Sequence, residues 1–267
     1  MNFKRVILMI VLSLCFFVGK VEAKTNILLL GSDAGYESDR AEELVGSRSD
    51  AIVIATIDEE SKTITFSSIP RDSLVAIPGR GEEKLTHAFA YGGKELTIQT
   101  IEEWLDVKFD HYVVANMPGF INIIDTLGGV TVKPPMTFNW WNRFFFEKDV
   151  EQKLDGEHAL AYARERFTSG GDYARQARMR EMLIKVREKL ISENNIDKYE
   201  ELFNNRYKFI DTDLNFDQIK DLYAQYFNSE YAPIEFQLAG DGYTADGLGY
   251  VDAIREDSLA ELRKIIQ

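Results

Sequence analysis

The chain has 267 residues, of which 45% are hydrophobic and 28% are charged, a composition typical of a globular protein and not of a disordered one. Its length suits one domain of ordinary to large size or two small ones. The net charge of -13 argues against general binding of nucleic acid, which needs a basic surface, but it leaves room for a local basic pocket.

The first 23 residues have the pattern of a targeting segment. A cationic start precedes an apolar run, and Val21-Glu22-Ala23 offers a cleavage site after Ala23. The run is shorter than the roughly 20 residues of a comfortable membrane span, so a cleaved signal peptide is the first interpretation and a short membrane anchor the second. Either one places the body of the protein, residues 24–267, outside the cytoplasmic membrane. The sole cysteine, Cys15, lies in this segment, so the domain is expected to have no disulfide.

Short apolar runs predict a buried sheet in the first part of the domain. Residues 26–30 form the first run, which ends in a Gly-Ser-Asp sequence that delivers the carboxylate of Asp33. Residues 51–57 and 63–69 predict two further strands. The polar turn between them indicates a β-hairpin.

The rest of the chain alternates helical and extended patterns. Helices are predicted at 94–107, 118–127, 156–163, 172–191 and 216–226 and from 257 onward, and strands at 110–116, 130–132 and 234–238. Residues 79–83 are predicted to be a loop, and Asp172 is predicted to be the N-cap of its helix. Neither a low-complexity linker nor an internal repeat interrupts the chain, so we expect a single α/β domain.

One segment is unusually rich in aromatic residues. Residues 136–146 contain Trp140, Trp141 and three phenylalanines within what the sequence predicts to be a loop. Two interpretations stay open, since aromatic rings favour both. The segment is either a flap that covers the core or a lip that meets a lipid chain or the membrane surface.

Cations gather near the predicted strand ends and helix starts. Arg164 and Arg166 are two residues apart, so they face the same side of an extended segment. Arg175 and Arg178 are three apart and share a helix face close to an N-terminus, which favours anions. The planar fork of arginine suits phosphate oxygens. The sequence therefore predicts a pyrophosphate pocket formed by Arg48, Arg71, Lys84, Arg164, Arg166, Arg175 and Arg178.

Carboxylates accompany these cations at the same strand ends. Asp33 and Asp50 end and begin neighbouring strands, and two carboxylates together with phosphate oxygens are what Mg²⁺ usually takes. Asp72 is a third candidate ligand. For each of these residues taken alone, an ion pair with a neighbouring arginine or the cap of a turn is the favoured interpretation, but for the whole constellation it is not.

A series of motifs in the chain resembles those of the LytR-CpsA-Psr family, in the family's order. They are NILLLGSD at 26–33, SRSD at 47–50, IPRDS at 69–73, KLTHAFAYGG at 84–93, DTLGGV at 125–130, LDGEHALAYARER at 154–166 and DYARQAR at 172–178. The resemblance implies one α/β domain over residues 24–267, with a central mixed β-sheet flanked by helices and a hydrophobic tunnel for a lipid.

The resemblance also implies an extracytoplasmic phosphotransferase of the bacterial cell envelope, associated with the membrane surface. Such an enzyme moves a glycopolymer, typically a teichoic acid or capsular polysaccharide, from a polyprenyl-pyrophosphate carrier to peptidoglycan. The usual acceptor is the 6-hydroxyl of N-acetylmuramic acid, and the new bond is a phosphodiester. A polyprenyl-phosphate-binding protein without turnover and a lipid pyrophosphate hydrolase are the alternatives.

By the same resemblance, Asp33 and Asp50 would hold Mg²⁺ on the pyrophosphate. The arginines that would bind its oxygens are Arg48, Arg71, Arg164, Arg166 and Arg175, while Lys84 and Arg178 match further basic positions. Arg71 and Arg164 would act in catalysis, and Asp33 or Asp72 would take the proton of the incoming hydroxyl. The chain departs from the family at Met179, where a glutamine is usual. Methionine cannot donate a hydrogen bond, so one polar contact of the pocket is expected to be missing.

Overall fold

The computed structural model describes residues 24–34, 47–166, 170–204 and 209–267. The predicted targeting segment and most of the polar loop before Ser47 therefore lie outside the described residues. Strands are β1 (Lys24–Ser32), β2 (Ser49–Asp58), β3 (Thr63–Ser68), β4 (Leu74–Ile77), β5 (Gly81–Lys84), β6 (His111–Asn116), β7 (Val130–Val132), β8 (Phe138–Trp140), β9 (Phe144–Phe146), β10 (Gln152–Leu154), β11 (Ile210–Thr212), β12 (Ala232–Gln237), β13 (Gly240–Ala245) and β14 (Gly249–Ile254).

Seven α-helices accompany these strands in the described ranges. They are α1 (Leu85–Leu105), α2 (Met117–Thr126), α3 (Gly156–Arg164), α4 (Gly171–Glu193), α5 (Glu200–Asn204), α6 (Phe216–Tyr226) and α7 (Glu256–Ile266), with a 3₁₀ turn at Ile196–Tyr199. Within the same ranges, none of these helices combines the length and the apolar character that crossing a bilayer requires.

A six-stranded mixed sheet forms the centre of the domain, in the order β11-β6-β1-β2-β3-β12. The β1–β2 and β2–β3 pairs are antiparallel, as the short polar turn predicts, whereas β1–β6 and β3–β12 are parallel. Parallel neighbours need a crossover connection, and helices supply it here. The predicted fold class, a mixed sheet flanked by helices, is confirmed.

Both faces of the sheet are covered, because successive side chains of a strand point to opposite sides. Leu28 and Ile54 belong to a cluster that includes residues of α1 and α7 on one face. Val53 and Phe66 belong to a cluster on the other face, against which Leu183 of α4 packs. This two-sided burial explains why the strands read as continuous apolar runs.

A β-bulge lies where β1 ends and β2 begins, at one end of these two central strands. Gly31 pairs with Ala51 and Ser32 pairs with Ser49, so Asp50 is left as the extra residue between them. The strands approach closely here, since a Cβ on Gly31 would stand 2.9 Å from that of Ala51. Bulges bend a strand and redirect a side chain. This one turns Asp50 out of the ladder.

Two predicted boundaries near residue 84 are wrong. Residues 79–83 are not simply a loop, because Gly81–Lys84 pairs with Leu74–Ile77 as an antiparallel ribbon. The helix that follows begins at Leu85 instead of residue 94, with a kink where Gly92 and Gly93 leave helical geometry. The sequence failed to predict the segment before residue 94 as helical because the two glycines interrupt the hydrophobic periodicity, although they only kink the helix.

The aromatic segment is not a loop but a hairpin whose strands are joined by three residues. Phe138 and Phe146, which face each other in the ladder, are buried in a core cluster of their own, whereas Phe145 on the outer face is 55% exposed. At the tip, Trp141 has a φ of 55° and is 79% exposed. The inner face of the hairpin therefore covers core, as the flap interpretation predicts, and contact of the tip with a lipid chain or the membrane surface stays a prediction.

The predicted N-cap of α4 is also wrong. The residue that precedes the helix is Gly170, in the left-handed conformation, and Asp172 lies in the first turn. Its carboxylate accepts hydrogen bonds from the side chains of Arg175 and Gln176, which lie three and four residues further along the helix, on the same face. A full positive charge three residues along attracts a carboxylate more strongly than a backbone amide does.

Candidate functional site

A cavity of about 460 Å³ lies between the sheet and helices α2, α3 and α4. Its interior is apolar and includes Leu29, Val113, Met182 and Leu183. Charged residues also line it: Asp50, Arg71, Arg164, Arg166 and Arg175. Four arginines and one aspartate give this part of the wall a positive excess in a chain whose net charge is negative. The combination suits a ligand with an anionic head and an apolar tail.

At the bulged strand edge, Asp33 and the segment before β2 hold each other in place. The amide of Arg48 donates to Asp33 Oδ1 at 2.6 Å, and the amide of Asp33 donates to the carbonyl of Arg48 at 3.1 Å. Ser32, the neighbour of Asp33, lines the cavity. The side chain of Arg48 is exposed to solvent, at the outside of this edge.

Arg71 joins Asp50 of the SRSD motif to Asp72 of the IPRDS motif. Its Nη1 atom lies 2.5 Å from Asp50 Oδ1, and its Nε atom lies 3.5 Å from Asp72 Oδ2. Burial alone would lower the pKa of Arg71, but the charges of Asp50 and Asp72 outweigh it and hold that pKa above its usual value. Asp72 also pairs with Lys84, whose Nζ atom lies 3.1 Å away. These four side chains therefore form one alternating network of charges beside the cavity.

Arg175 enters the same cavity from α4. Its Nε atom donates to Asp172 Oδ1 at 2.8 Å, and its Nη1 atom donates to the backbone carbonyl of Asp50 at 2.8 Å. Burial alone would raise the pKa of Asp172, but the hydrogen bond and charge of Arg175 outweigh it and keep that pKa below its usual value. Met179, where the family usually has glutamine, lines the cavity with its sulfur 3.5 Å from Arg175 Nη1.

The end of α3 supplies the last two arginines of the cavity wall. Arg164 is the final residue of the helix, and its guanidinium lies 5.9 Å from the ring of Trp140. Arg166 follows after Glu165, which leaves the helix in an extended conformation. The extended exit therefore places both arginines on the cavity wall, as their spacing predicts.

Arg178 is not among the cavity residues. Its Nε atom donates to the carbonyl of Tyr162 at 2.9 Å, and Nη2 donates to the carbonyl of Glu165. Burial lowers the pKa of Arg178, and the nearby Glu165 raises it by less. Arg178 therefore has a structural role: its hydrogen bonds connect α4 to the end of α3, next to Arg164 and Arg166.

The sequence interpretation missed one carboxylate beside this network. Asp252 of β14 is buried, and its amide donates to the carbonyl of Asp72 at 2.9 Å. The hydroxyl of Tyr250 donates to its Oδ1 atom at 2.9 Å. Burial, with the charges of Asp72 and Asp172, raises the pKa of Asp252. No local pattern marks this residue, because its place depends on how the β13–β14 hairpin docks.

The carboxylates of Asp33 and Asp50 could contribute to a magnesium site only together with ligands from outside the protein. Within the described ranges, no group of three or more histidine, cysteine or acidic side chains is arranged to hold a metal. Asp33 and Asp50 stand at the same bulged edge of the sheet, and each uses Oδ1 for a contact within the protein. Mg²⁺ needs only one or two carboxylates when phosphate oxygens and water complete its shell.

A second, wholly apolar cavity of about 210 Å³ adjoins the first. The two cavities share Val113, Ile123 and Val186 in their walls. The second continues between α4 and α6, with Leu190 and Ile219 in its lining. The apolar space behind the charged residues is therefore longer than the first cavity alone, as expected of the hydrophobic tunnel.

Comparison with known proteins gives consistent matches over most of the chain. The model of the LytR_cpsA_psr family matches residues 10–267. A relative from Enterococcus faecalis is named polyisoprenyl-teichoic acid–peptidoglycan teichoic acid transferase TagU. It is 36% identical over 227 residues, which cover 84% of this chain and 73% of the relative.

Solved structures agree with the sequence matches. A structure of TagT bound to LIIa-WTA superposes with a TM-score of 0.75 at 31% identity, over 91% of this chain and 89% of that one. A structure of the LytR-CPS2A-psr family protein YwtF (TagT) with bound octaprenyl pyrophosphate lipid superposes with a TM-score of 0.72 at 30% identity, over 91% and 89%.

Proposed function

The chain belongs to the LytR_cpsA_psr family, and we propose on that premise that it transfers a glycopolymer from a polyprenyl-pyrophosphate carrier to peptidoglycan. One observation carries the proposal: four arginines line a cavity whose other lining residues are mostly apolar. The arginines match the pyrophosphate, and the apolar cavity matches the prenyl chain. The E. faecalis relative is named for this transfer of teichoic acid, and the YwtF (TagT) structure holds octaprenyl pyrophosphate.

The reaction breaks the phosphoanhydride bond of the pyrophosphate and forms a new phosphate ester bond to the acceptor. A hydroxyl of the acceptor, the 6-hydroxyl of N-acetylmuramic acid, attacks the phosphorus that carries the polymer. The bond to the bridging oxygen breaks, the lipid leaves as its monophosphate, and the acceptor and polymer are joined by a phosphodiester. Arg71, Arg164, Arg166 and Arg175 neutralise charge on the phosphoryl oxygens, which is the main protein contribution to such transfers.

Two carboxylates are candidates to take the proton of the attacking hydroxyl. Asp33 stands at the strand edge next to the cavity residue Ser32. Asp72 lies in the charge network beside the cavity and is paired with both Arg71 and Lys84. Asp33 is also a proposed ligand of Mg²⁺, so the two carboxylates stay equal candidates for this step.

We propose Mg²⁺ as the cofactor, held by Asp33 and Asp50 together with the pyrophosphate. Bound there, the ion would supply Lewis-acid stabilisation of charge on the leaving phosphate. The salt bridge from Arg71 keeps the Asp50 carboxylate oriented at the bulge. Exposed Arg48 and paired Lys84 would contribute positive charge at the margin of the site.

The first 23 residues complete the proposal. As a signal peptide cleaved after Ala23, or as a short anchor, they would bring the domain of residues 24–267 to the extracytoplasmic face of the membrane, where carrier and peptidoglycan meet. The mass of the protein purified from its native envelope distinguishes the two forms. A mass that begins at Lys24 supports cleavage, and a full-length mass supports an anchor.

Transfer itself is tested by incubating the purified protein with a lipid-pyrophosphate-linked saccharide, Mg²⁺ and peptidoglycan oligomers. We expect saccharide joined to the oligomers and release of lipid monophosphate in equal amounts. Release of lipid monophosphate without joining would make the protein a hydrolase. Tight lipid binding without either product would make it a carrier-binding protein. A matched reaction with chelator in place of Mg²⁺ tests the cofactor, since full activity there would contradict it.

A further inference from the structure

A chain of hydrogen bonds runs from the edge strand β12 to the cavity. Arg180 Nη1 donates to Gln237 Oε1 at 2.6 Å, and Gln237 Nε2 donates to Gln176 Oε1 at 2.8 Å. Gln176 Nε2 then donates to Asp172 Oδ2 at 2.8 Å. The other carboxylate oxygen of Asp172 holds Arg175. Neither glutamine lines the cavity.

Both ends of this chain impose the same direction on it. An ionised carboxylate only accepts hydrogen bonds, so Gln176 must present its amide group to Asp172 and its oxygen to Gln237. An arginine only donates, so Gln237 must present its oxygen to Arg180 and its amide group to Gln176. The orientation of both amides is therefore determined from either end.

The chain is buried along most of its length. Gln176, Arg175 and Arg180 are each no more than 6% exposed. A buried polar group that loses its partner is not compensated by water, so each link favours the whole arrangement. The result is that Asp172 cannot turn away from Arg175 without leaving Gln176 unpaired.

We propose that Gln176 and Gln237 are positioning residues for the transfer reaction, acting through Asp172 to hold the guanidinium of Arg175 in the cavity. This inference rests on the proposed function, in which Arg175 binds pyrophosphate oxygens. The chain connects three elements: β12 through Gln237, α4 through Gln176, and β2 through the contact of Arg175 with the carbonyl of Asp50. The position of the Arg175 guanidinium is thus fixed from two directions, by the edge strand β12 through the two glutamines and by the bulge at Asp50.

Gln237→Glu tests the chain at its middle link. The carboxylate of the variant keeps the bond from Arg180, and strengthens it by its charge, but it has no donor for Gln176. The matched control is Glu235→Gln on the same strand. Glu235 Oε2 accepts from Arg180 Nε at 2.9 Å, so this change disturbs the same arginine without interrupting the path to Asp172.

Two measurements on the full-length protein are expected to separate the variants. The Nε–H proton of Arg175, assigned by its loss in Arg175→Lys, is expected to exchange slowly with solvent in the wild type, because it is buried and hydrogen-bonded to Asp172. In Gln237→Glu, we expect exchange to become about tenfold faster and the affinity for inorganic pyrophosphate, measured by calorimetry, to fall about tenfold. In Glu235→Gln, both quantities should stay within about twofold of the wild type.

Unchanged exchange and affinity in Gln237→Glu would overturn the inference, and so would equal losses in the two variants, which would indicate that Arg180 only supports the fold. If Gln237→Glu does not unfold cooperatively, Gln176→Met tests the next link, because it keeps side-chain length without a donor. A wild type that binds no pyrophosphate would refute the proposed function, while proton exchange at Arg175 would still decide whether the chain positions it.

Discussion

The two sides of the cavity are built in opposite ways. The charged side, which we call the arginine wall (Arg71, Arg164, Arg166 and Arg175), is drawn from three parts of the chain. Arg71 and Arg175 in it are held by carboxylates and carbonyls. The aromatic hairpin, Phe138–Trp140 with Phe144–Phe146, is a single local unit whose inner face is held by apolar burial and whose tip, Trp141, has no such support.

The two regions differ in whether the side chains that would contact the ligand are already held in one orientation. Buried hydrogen bonds fix the direction of Arg71 and Arg175 before any phosphate arrives, which lowers the cost of binding. The hairpin instead presents Trp141 at a positive φ, where a bulky side chain is unfavourable and asparagine or glycine is preferred. A costly conformation that places an aromatic ring on the cavity wall indicates a role in binding for that ring.

The largest effect is expected at the centre of the arginine wall. Arg71→Ala should lower transfer by roughly 10²- to 10³-fold, because it removes a cation from the phosphoryl oxygens and leaves Asp50 unpaired. The fold should persist, as judged by circular dichroism. Arg80→Ala is the matched control, since that exposed arginine packs on Tyr91 away from the cavity. Full activity in Arg71→Ala would contradict the proposed pocket.

A smaller effect is expected from the carboxylate that orients Arg175. Asp172→Asn should cost about 2 kcal/mol of unfolding free energy at pH 7. The folded-state pKa of Asp172 lies below the ordinary 3.8, so its contribution is present above that pH and is lost as pH falls through the folded pKa. Denaturant unfolding at several pH values should therefore show the wild type and the variant converging in acid.

The control for that series is Asp217→Asn, which removes an exposed carboxylate paired with Lys220 on the surface of α6. Its unfolding free energy should stay close to that of the wild type throughout. A constant difference between the wild type and Asp172→Asn at all pH values would show that the charge of Asp172 does not stabilise Arg175.

The smallest effect is expected at the tip of the hairpin. Trp141→Asn should raise the unfolding free energy by about 1 kcal/mol, because asparagine tolerates the positive φ of this turn. It should also lower the affinity for a prenyl pyrophosphate by a few-fold, measured by displacement of a fluorescent lipid. A stabilised variant that binds less lipid cannot owe its loss to misfolding.

Phe145→Asn separates two sources of that loss. Phe145 is exposed on the same hairpin but does not line the cavity. Its replacement should leave the affinity for soluble prenyl pyrophosphate unchanged if Trp141 acts on the ligand. Equal losses in both variants would instead indicate that the hairpin meets a lipid surface.

Much of the arginine wall could be predicted from the sequence, because its residues sit where elements begin and end. Arg71 follows a strand closed by Pro70, and Arg164 and Arg166 leave a helix two residues apart, so local pattern sets their direction. Arg178 shows the limit of such reasoning. It shares spacing with Arg175, yet its neighbours Tyr162 and Glu165 take up its donors.

The sequence by itself determined five of the six strands of the central sheet, all but β11, together with the principal helices and the clustering of cations, because these follow from hydrophobic periodicity and from spacing along one element. Only the tertiary structure decided that Asp50 is expelled at a bulge, that Asp172 serves Arg175 instead of capping its helix, and that Gln237 reaches Gln176 from a strand 61 residues away. Those outcomes depend on which polar groups meet when distant elements pack, and no local propensity specifies such meetings.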